Sequence, residues 1–174
     1  MISYRNFEKT LKDISLDTSR NEAMTESLQK VVDFDDFSEK FYRQVNNSAY
    51  KAKSVDALCL LDNRWCMIEF KNGNYDVKDV RKKIEPSLAV FLFNSDVKVN
   101  DFKENSIFIL VYNKENKDRI YHLLGKKANM EIKRFGVNNI KGIFFKDVKI
   151  LDKEKFEQFI DGCKIEIPPD PAVD

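Results

Sequence analysis

The sequence predicts an α/β fold in which a central mixed β-sheet is flanked by helices, with helices preceding a hairpin at the N-terminal side. Two observations carry that prediction. Residues 54–73, SVDALCLLDNRWCMIEFKNG, form the longest apolar passage in a chain that is 34% charged, and they read as two strands joined by a tight turn. Around this passage, apolar residues recur at helical spacing and further short apolar runs follow. The resulting order is helix, hairpin, helix, strand, helix, strand, helix.

Before the hairpin, residues 3–16 space Phe7, Leu11 and Ile14 for a helix. Ser19-x-x-Glu22 has the form of a capping box, and Met24, Leu28, Val31 and Val32 follow at helical spacing, which predicts a helix over residues 20–33. Asp36-x-x-Glu39 is a second such box, opening a short helix with Phe37 and Phe41 one turn apart. The polar residues 44–52 read as a loop or a weak edge strand.

In the hairpin itself, Val55 to Leu61 and Trp65 to Phe70 flank Asp62-Asn63-Arg64. Both faces are apolar: Val55, Ala57, Cys59 and Leu61 alternate with Leu58 and Leu60, and Cys66, Ile68 and Phe70 alternate with Trp65 and Met67. Such a hairpin must be covered on both sides, which places it in the middle of a layered domain.

After the hairpin, Asn72-Gly73-Asn74 signals a turn and Asp76 an N-cap. Val77, Val80, Ile84, Leu88 and Phe91 keep a helical stripe through Pro86, predicting one helix kinked by proline or two abutting helices. A polar loop over 95–105 leads to a buried strand, Ile107 to Tyr112. Asp118 to Leu124 reads as helical, residues 126–140 are ambiguous, and Ile143 to Phe145 reads as a strand. Asp152 caps a last helix with Phe156, Phe159 and Ile160 on one face, and Gly162 ends it. The chain reads as a single domain over residues 1–166 with its core at about 35–113, followed by a loose or extended tail, 167–174.

Composition narrows the function. The 30 Lys+Arg against 29 Asp+Glu give a net charge of +1, which excludes a uniformly basic nucleic-acid coat while leaving room for a local basic strip. No run is long enough to span a membrane, the first ten residues lack a signal peptide's apolar segment, and three cysteines without metal-like spacing point to a reducing cytoplasm. Cys59 and Cys66 could face each other across the hairpin, and they read as buried thiols. The single histidine, His122, sits in a predicted helix with no identifiable partner, which removes HNH nucleases, two-histidine ribonucleases and most zinc hydrolases. Trp65 and the fourteen phenylalanines read as core, not as a base-stacking platform.

Three charges interrupt the apolar hairpin, all at the end away from its turn: Asp56, Glu69 and Lys71. With a two-residue loop Asp56 lies opposite Glu69, and with a four-residue loop opposite Lys71. In either case the three side chains project from one face of the sheet, whereas a three-residue loop would send Asp56 to the other. Two carboxylates and an ammonium on an apolar face are costly to desolvate unless paired, hydrated or bound to a metal.

This constellation, Asp56 followed after twelve residues by Glu69-Phe70-Lys71, resembles the PD-(D/E)xK nuclease superfamily over residues 35–113. The pattern [DE]-x-K recurs at Asp76, Asp96, Asp101, Glu115, Glu131 and Asp147. Only the Glu69 instance ends an apolar strand, follows a hairpin and has an acid on the partner strand. Val55 stands where the motif's proline would be, and the following helix lacks the Gln and Tyr of the recombination-type subgroup, which leaves the substrate open.

The resemblance implies a restriction-endonuclease-like α/β/α core and a Mg²⁺- or Mn²⁺-dependent nuclease, an endonuclease in type, acting on DNA ahead of RNA. It implies Asp56, Glu69 and the Phe70 backbone carbonyl as hard oxygen ligands, with Glu39 on the preceding helix as a candidate additional one. Lys71 would orient the attacking water and stabilise negative charge. Lys51, Lys53, Lys78, Arg81 and Lys82 are candidate phosphate contacts. Many relatives act as homodimers, although no interface signal is present. The competing expectations are a nuclease-fold binding module without turnover and, for the triad alone, an ordinary cross-strand salt bridge.

Overall fold

The computed structural model describes residues 1–46, 53–72, 77–114 and 140–171. A 3₁₀ turn over Tyr4–Phe7 leads into β1 (Glu8–Thr10) and a one-turn helix, α1 (Leu11–Ile14). The short strands β2 (Leu16–Asp17) and β3 (Glu22–Ala23) pair only with each other. Then come β4 (Lys30–Asp33), α2 (Phe34–Asn46), β5 (Ala57–Leu61), β6 (Arg64–Lys71) and α3 (Val77–Phe93). The chain continues with α4 (Val99–Glu104), β7 (Ser106–Tyr112), β8 (Asp147–Asp152), α5 (Lys153–Asp161) and β9 (Ile165–Glu166).

The main sheet has seven strands in the order β1-β4-β5-β6-β7-β8, with β9 added on β5. The strands from β1 to β6 pair antiparallel, and β6, β7 and β8 pair parallel. The fold is therefore α/β with a mixed central sheet between helices. One face carries Val32, Leu58, Met67, Phe108 and Leu110 and is covered by α2, α3 and α4 through Phe37, Ile84, Phe91 and Phe102. The opposite face carries Ala57, Cys66, Ile68, Ile109 and Val111 and is covered by α5 through Phe156 and Ile160, with Leu11 and Met24 beside it. The central strand β7 is buried along nearly its whole length, which is why it reads as a continuous apolar run instead of an alternating one. No helix among the described residues is long and apolar enough to cross a membrane.

Several expected elements take another form. Residues 20–33 are not a helix. Ser19 bonds to Asp17 in a local turn, Asn21 adopts φ +51°, and Lys30–Asp33 is a sheet strand between β1 and β5. Leu28, central to the helical stripe, is 72% exposed, while the β-branched pair Val31 and Val32 is buried on opposite faces of the sheet. Residues 3–16 likewise break into a 3₁₀ turn, a strand and one helical turn, because β1 pairs with β4 and Thr10 caps α1. The strand expected at 143–145 is a turn with Gly142 at φ +75°, and the strand follows at Asp147–Asp152. The expected loop at 95–105 contains α4, anchored by buried Phe102.

Other expectations hold. α3 runs unbroken through Pro86, and Asp152 caps α5 by accepting from the Lys155 amide at 3.0 Å. The described part of the tail has no regular secondary structure and, unlike a loose tail, is docked: Pro168 and Pro171 are buried, and Asp170 accepts from the Tyr4 amide at 2.7 Å and the Ser3 hydroxyl at 2.8 Å. The helix expected at 118–124, with His122, and the N-cap expected at Asp76 lie outside the described residues.

Candidate active site

The hairpin turn sets the parity of everything that follows. Asp62 and Asn63 both adopt positive φ, 49° and 62°, the left-handed pair of a two-residue hairpin loop, which short polar side chains tolerate. Leu61 therefore pairs with Arg64, Cys59 with Cys66, and Ala57 with Ile68. Both cysteines are buried free thiols. Asp56 lies one step beyond the regular ladder, at a bend where its amide donates to the Ile68 carbonyl at 3.1 Å and its carbonyl accepts from Phe34 at 3.0 Å. Its side chain shares a face with Glu69 and Lys71, beneath α3.

Four charged groups meet there. Lys71 Nζ lies 2.5 Å from Glu69 Oε1. Lys83, from α3, places its Nζ 3.0 Å from Asp56 Oδ1, 2.8 Å from Glu69 Oε1 and 3.0 Å from Glu69 Oε2. The other Asp56 oxygen, Oδ2, accepts from the Phe70 amide at 2.6 Å. Glu69 is wholly buried, whereas the Asp56, Lys71 and Lys83 side chains keep about a fifth of their surface exposed (22%, 17% and 20%). The cluster thus sits at the end of the sheet with one side open to water.

Burial first, and then the nearby Asp56 charge, push Glu69 up to about 7 against the opposing pull of Lys83 and Lys71. Burial works to lower the Lys83 pKa, but Asp56 and Glu69 outweigh it and hold the ammonium above its ordinary value. Both ammonium groups are within ion-pair distance of Glu69 Oε1, so the buried carboxylate is charge-compensated.

The remaining candidates divide. The Phe70 side chain packs on the opposite face against Phe156, ring centroids 5.7 Å apart. Its amide points to Asp56, and since a strand residue sends N–H and C=O to the same edge, its carbonyl is aimed past the start of β5. The neighbouring Lys71 carbonyl points the other way and accepts from Asn113 at 3.0 Å. Glu39 lies in α2, hydrogen-bonded to Arg43 one turn on. Among the described residues, no group of three His, Cys, Asp or Glu is close enough to share a metal ion, so Glu39 does not join Asp56 and Glu69. Arg81 and Lys82 are exposed on α3 and Lys53 is exposed just before β5. Lys78 falls in the first turn of α3, and Lys51 lies outside the described residues.

Sequence reasoning missed Lys83. Its signal was present: Lys83 follows Val80 by three and precedes Ser87 and Leu88 by four and five, which puts it on the inward stripe of α3 and not on the solvated face where Arg81 and Lys82 lie. It was hidden in a run of basic residues. A second polar network, also missed, backs the same end of the sheet. Asn113 Nδ2 donates to Asn72 Oδ1 at 2.8 Å, Arg20 donates to the Asn72 carbonyl at 2.7 Å, and Glu22 accepts from Lys153 at 2.6 Å. These bonds hold the backbone on the C-terminal side of Lys71.

No family model, curated protein or solved structure matches the chain. Whether a divalent cation fits is then a question for the donor set. Asp56 Oδ1 and both Glu69 oxygens converge on the Lys83 ammonium, about 3 Å away, and the carbonyl of Phe70 leaves the same strand edge. All are hard oxygens of the kind Mg²⁺ and Mn²⁺ prefer, and Mg²⁺ fills its remaining positions with water. The donor chemistry suits such an ion, while the position between the donors is held by Lys83 Nζ.

Proposed function

We propose that this chain is a metal-dependent nuclease of the PD-(D/E)xK kind, with a restriction-endonuclease-like core, that hydrolyses phosphodiester bonds of DNA or RNA. The observation that supports it most is the convergence of Asp56 and Glu69 on one cation-sized position, with Lys71 against Glu69 and one side of the cluster open to solvent. Asp56, Glu69 and the Phe70 carbonyl would hold the Mg²⁺ or Mn²⁺. When bound, the ion supplies an activated water and neutralises charge on the phosphoryl group. Lys71 would orient that water and stabilise the negative charge that develops on phosphate oxygens, and its closeness to Glu69 keeps the ammonium positioned for both roles. Lys53, Arg81 and Lys82 offer exposed cationic contacts to the nucleic-acid backbone, with Lys51 and Lys78 as further candidates.

One observation favours a second reading, a nucleic-acid-binding module without turnover: the position between the carboxylates is filled by the Lys83 ammonium, as in a structural ion-pair knot. Cleavage decides between them. Single- and double-stranded DNA and RNA are incubated with Mg²⁺ or Mn²⁺, or with chelator, and wild type is compared with Lys71→Ala. Metal-dependent cutting lost in the variant is the expected result, and the substrates cut name the class. Equal cutting by both proteins, or none by wild type under any condition, would sink the nuclease reading.

A further inference from the structure

We propose that Lys83 is the internal counter-ion of this site: its ammonium occupies the position a divalent cation would take between Asp56 and Glu69, so that metal and Lys83 compete for the same oxygens. The proposal rests on the nuclease reading for the identity of the competing cation, and on geometry for the rest. Lys83 Nζ is 3.0 Å from Asp56 Oδ1 and 2.8 and 3.0 Å from the two Glu69 oxygens, so it bridges both carboxylates. Among the described residues, Lys71 pairs with Glu69 and not with Asp56. A dication and an ammonium about 3 Å from the same oxygens would repel each other strongly in a partly buried site, so both cannot stay.

The way Lys83 is mounted suits an exchange. Its backbone is fixed: the Lys83 carbonyl accepts from the Ser87 hydroxyl at 2.7 Å, and that hydroxyl accepts from the Val55 amide at 2.9 Å. Its side chain is a flexible four-carbon stem with a fifth of its surface exposed and its ammonium set on the two carboxylates. Displaced from the carboxylates, it remains at the mouth of the cluster on the inward stripe of α3. There an ammonium with no carboxylate partner is suited to a phosphate oxygen. The structure therefore assigns Lys83 two alternating partners, the carboxylates in the metal-free protein and the nucleic-acid backbone in the loaded one. Two consequences follow. The metal-free site stays electrically satisfied, and metal binding alone is weak because it must first break charge-assisted contacts.

The test reads metal binding and not cleavage. Mn²⁺ alone is titrated by calorimetry into wild type, Lys83→Met and, as a control for net charge, Lys98→Met, whose side chain is exposed just before α4. The expected result is Mn²⁺ binding at least about tenfold tighter in Lys83→Met than in wild type, the order set by losing a charge-assisted contact, with Lys98→Met within about twofold. Should Lys83→Met fold poorly, wild type carries the test. With ¹⁵N-labelled lysine, the Lys83 Nζ resonance moves on Mn²⁺-analogue titration with Mg²⁺, because the ammonium changes partner. Unchanged or weaker Mn²⁺ affinity in a folded Lys83→Met, or a Nζ signal indifferent to Mg²⁺ that binds, overturns the counter-ion proposal and leaves the nuclease reading standing. No binding of Mn²⁺ to either protein overturns both.

Discussion

The Val55 amide donates to the Ser87 hydroxyl at 2.9 Å, a bond that ties the strand leading into Asp56 to the helix turn carrying Lys83. Ser87 is wholly buried, and its own proton goes to the Lys83 carbonyl at 2.7 Å. A single hydroxyl thus sets the height of α3 over the start of β5.

The first prediction concerns that hydroxyl. Ser87→Ala leaves the Val55 amide buried without an acceptor, so it should cost about 1–3 kcal/mol of stability. Urea unfolding with an unchanged denaturant slope measures it. A loss under about 0.5 kcal/mol would mean that water or another acceptor takes over and that the bond does not hold the helix.

Glu69 makes stability depend on pH. Its carboxyl is raised from an ordinary 4.5 to about 7, chiefly by burial, so the folded state favours the protonated form. That contribution is complete below the unfolded value of 4.5 and is lost as pH rises through about 7. In chelator, wild type should therefore lose stability relative to Glu69→Gln across this window, with a gap on the order of 3 kcal/mol at about pH 8. Thermal or urea unfolding of the pair at several pH values checks it. Parallel profiles would show that Lys71 and Lys83 neutralise the carboxylate fully.

The start of α2 separates two candidate caps. Asp33 Oδ1 accepts from the Asp36 amide at 3.1 Å, and Asp33 Oδ2 accepts from Lys9 at 2.7 Å. Asp36, which the sequence pattern nominates, has an exposed side chain that shares Lys9 at 2.8 Å. Asp33→Ala should then cost about 1–2 kcal/mol and Asp36→Ala less than about 0.5 kcal/mol. The reverse order in chemical denaturation would place the helix start at Asp36.

Much of the site is legible in local chemistry. Asp62 and Asn63 are residues that accept a left-handed backbone, so they make a two-residue turn, and the turn fixes on which face Glu69 and Lys71 emerge. Ile107 to Tyr112 reads as a buried strand because nothing but a covered sheet centre suits six apolar residues in a row. Residues 20–33 read as helical because Met24, Leu28 and Val31 happen to fall at helical spacing. Their actual partners are distant: Leu11 bonds to the Gln29 carbonyl at 3.0 Å, Thr25 bonds to Glu157, and Val32 pairs with Glu8 and Leu58. Sheet pairing overrides a local periodicity whenever the strand fills an otherwise open ladder.

The sequence by itself determined the α/β class, the hairpin and the shared face of Glu69 and Lys71, because alternation along a strand and the backbone of a tight turn are local properties. The tertiary structure decided that Lys83, and not its neighbours in the basic run, stands between Asp56 and Glu69. That outcome depends on how Ile84, Leu88 and Phe91 seat α3 on a sheet whose strands come from distant parts of the chain. A helix stripe shows which side chains turn inward, but only the docked sheet shows which charges they meet.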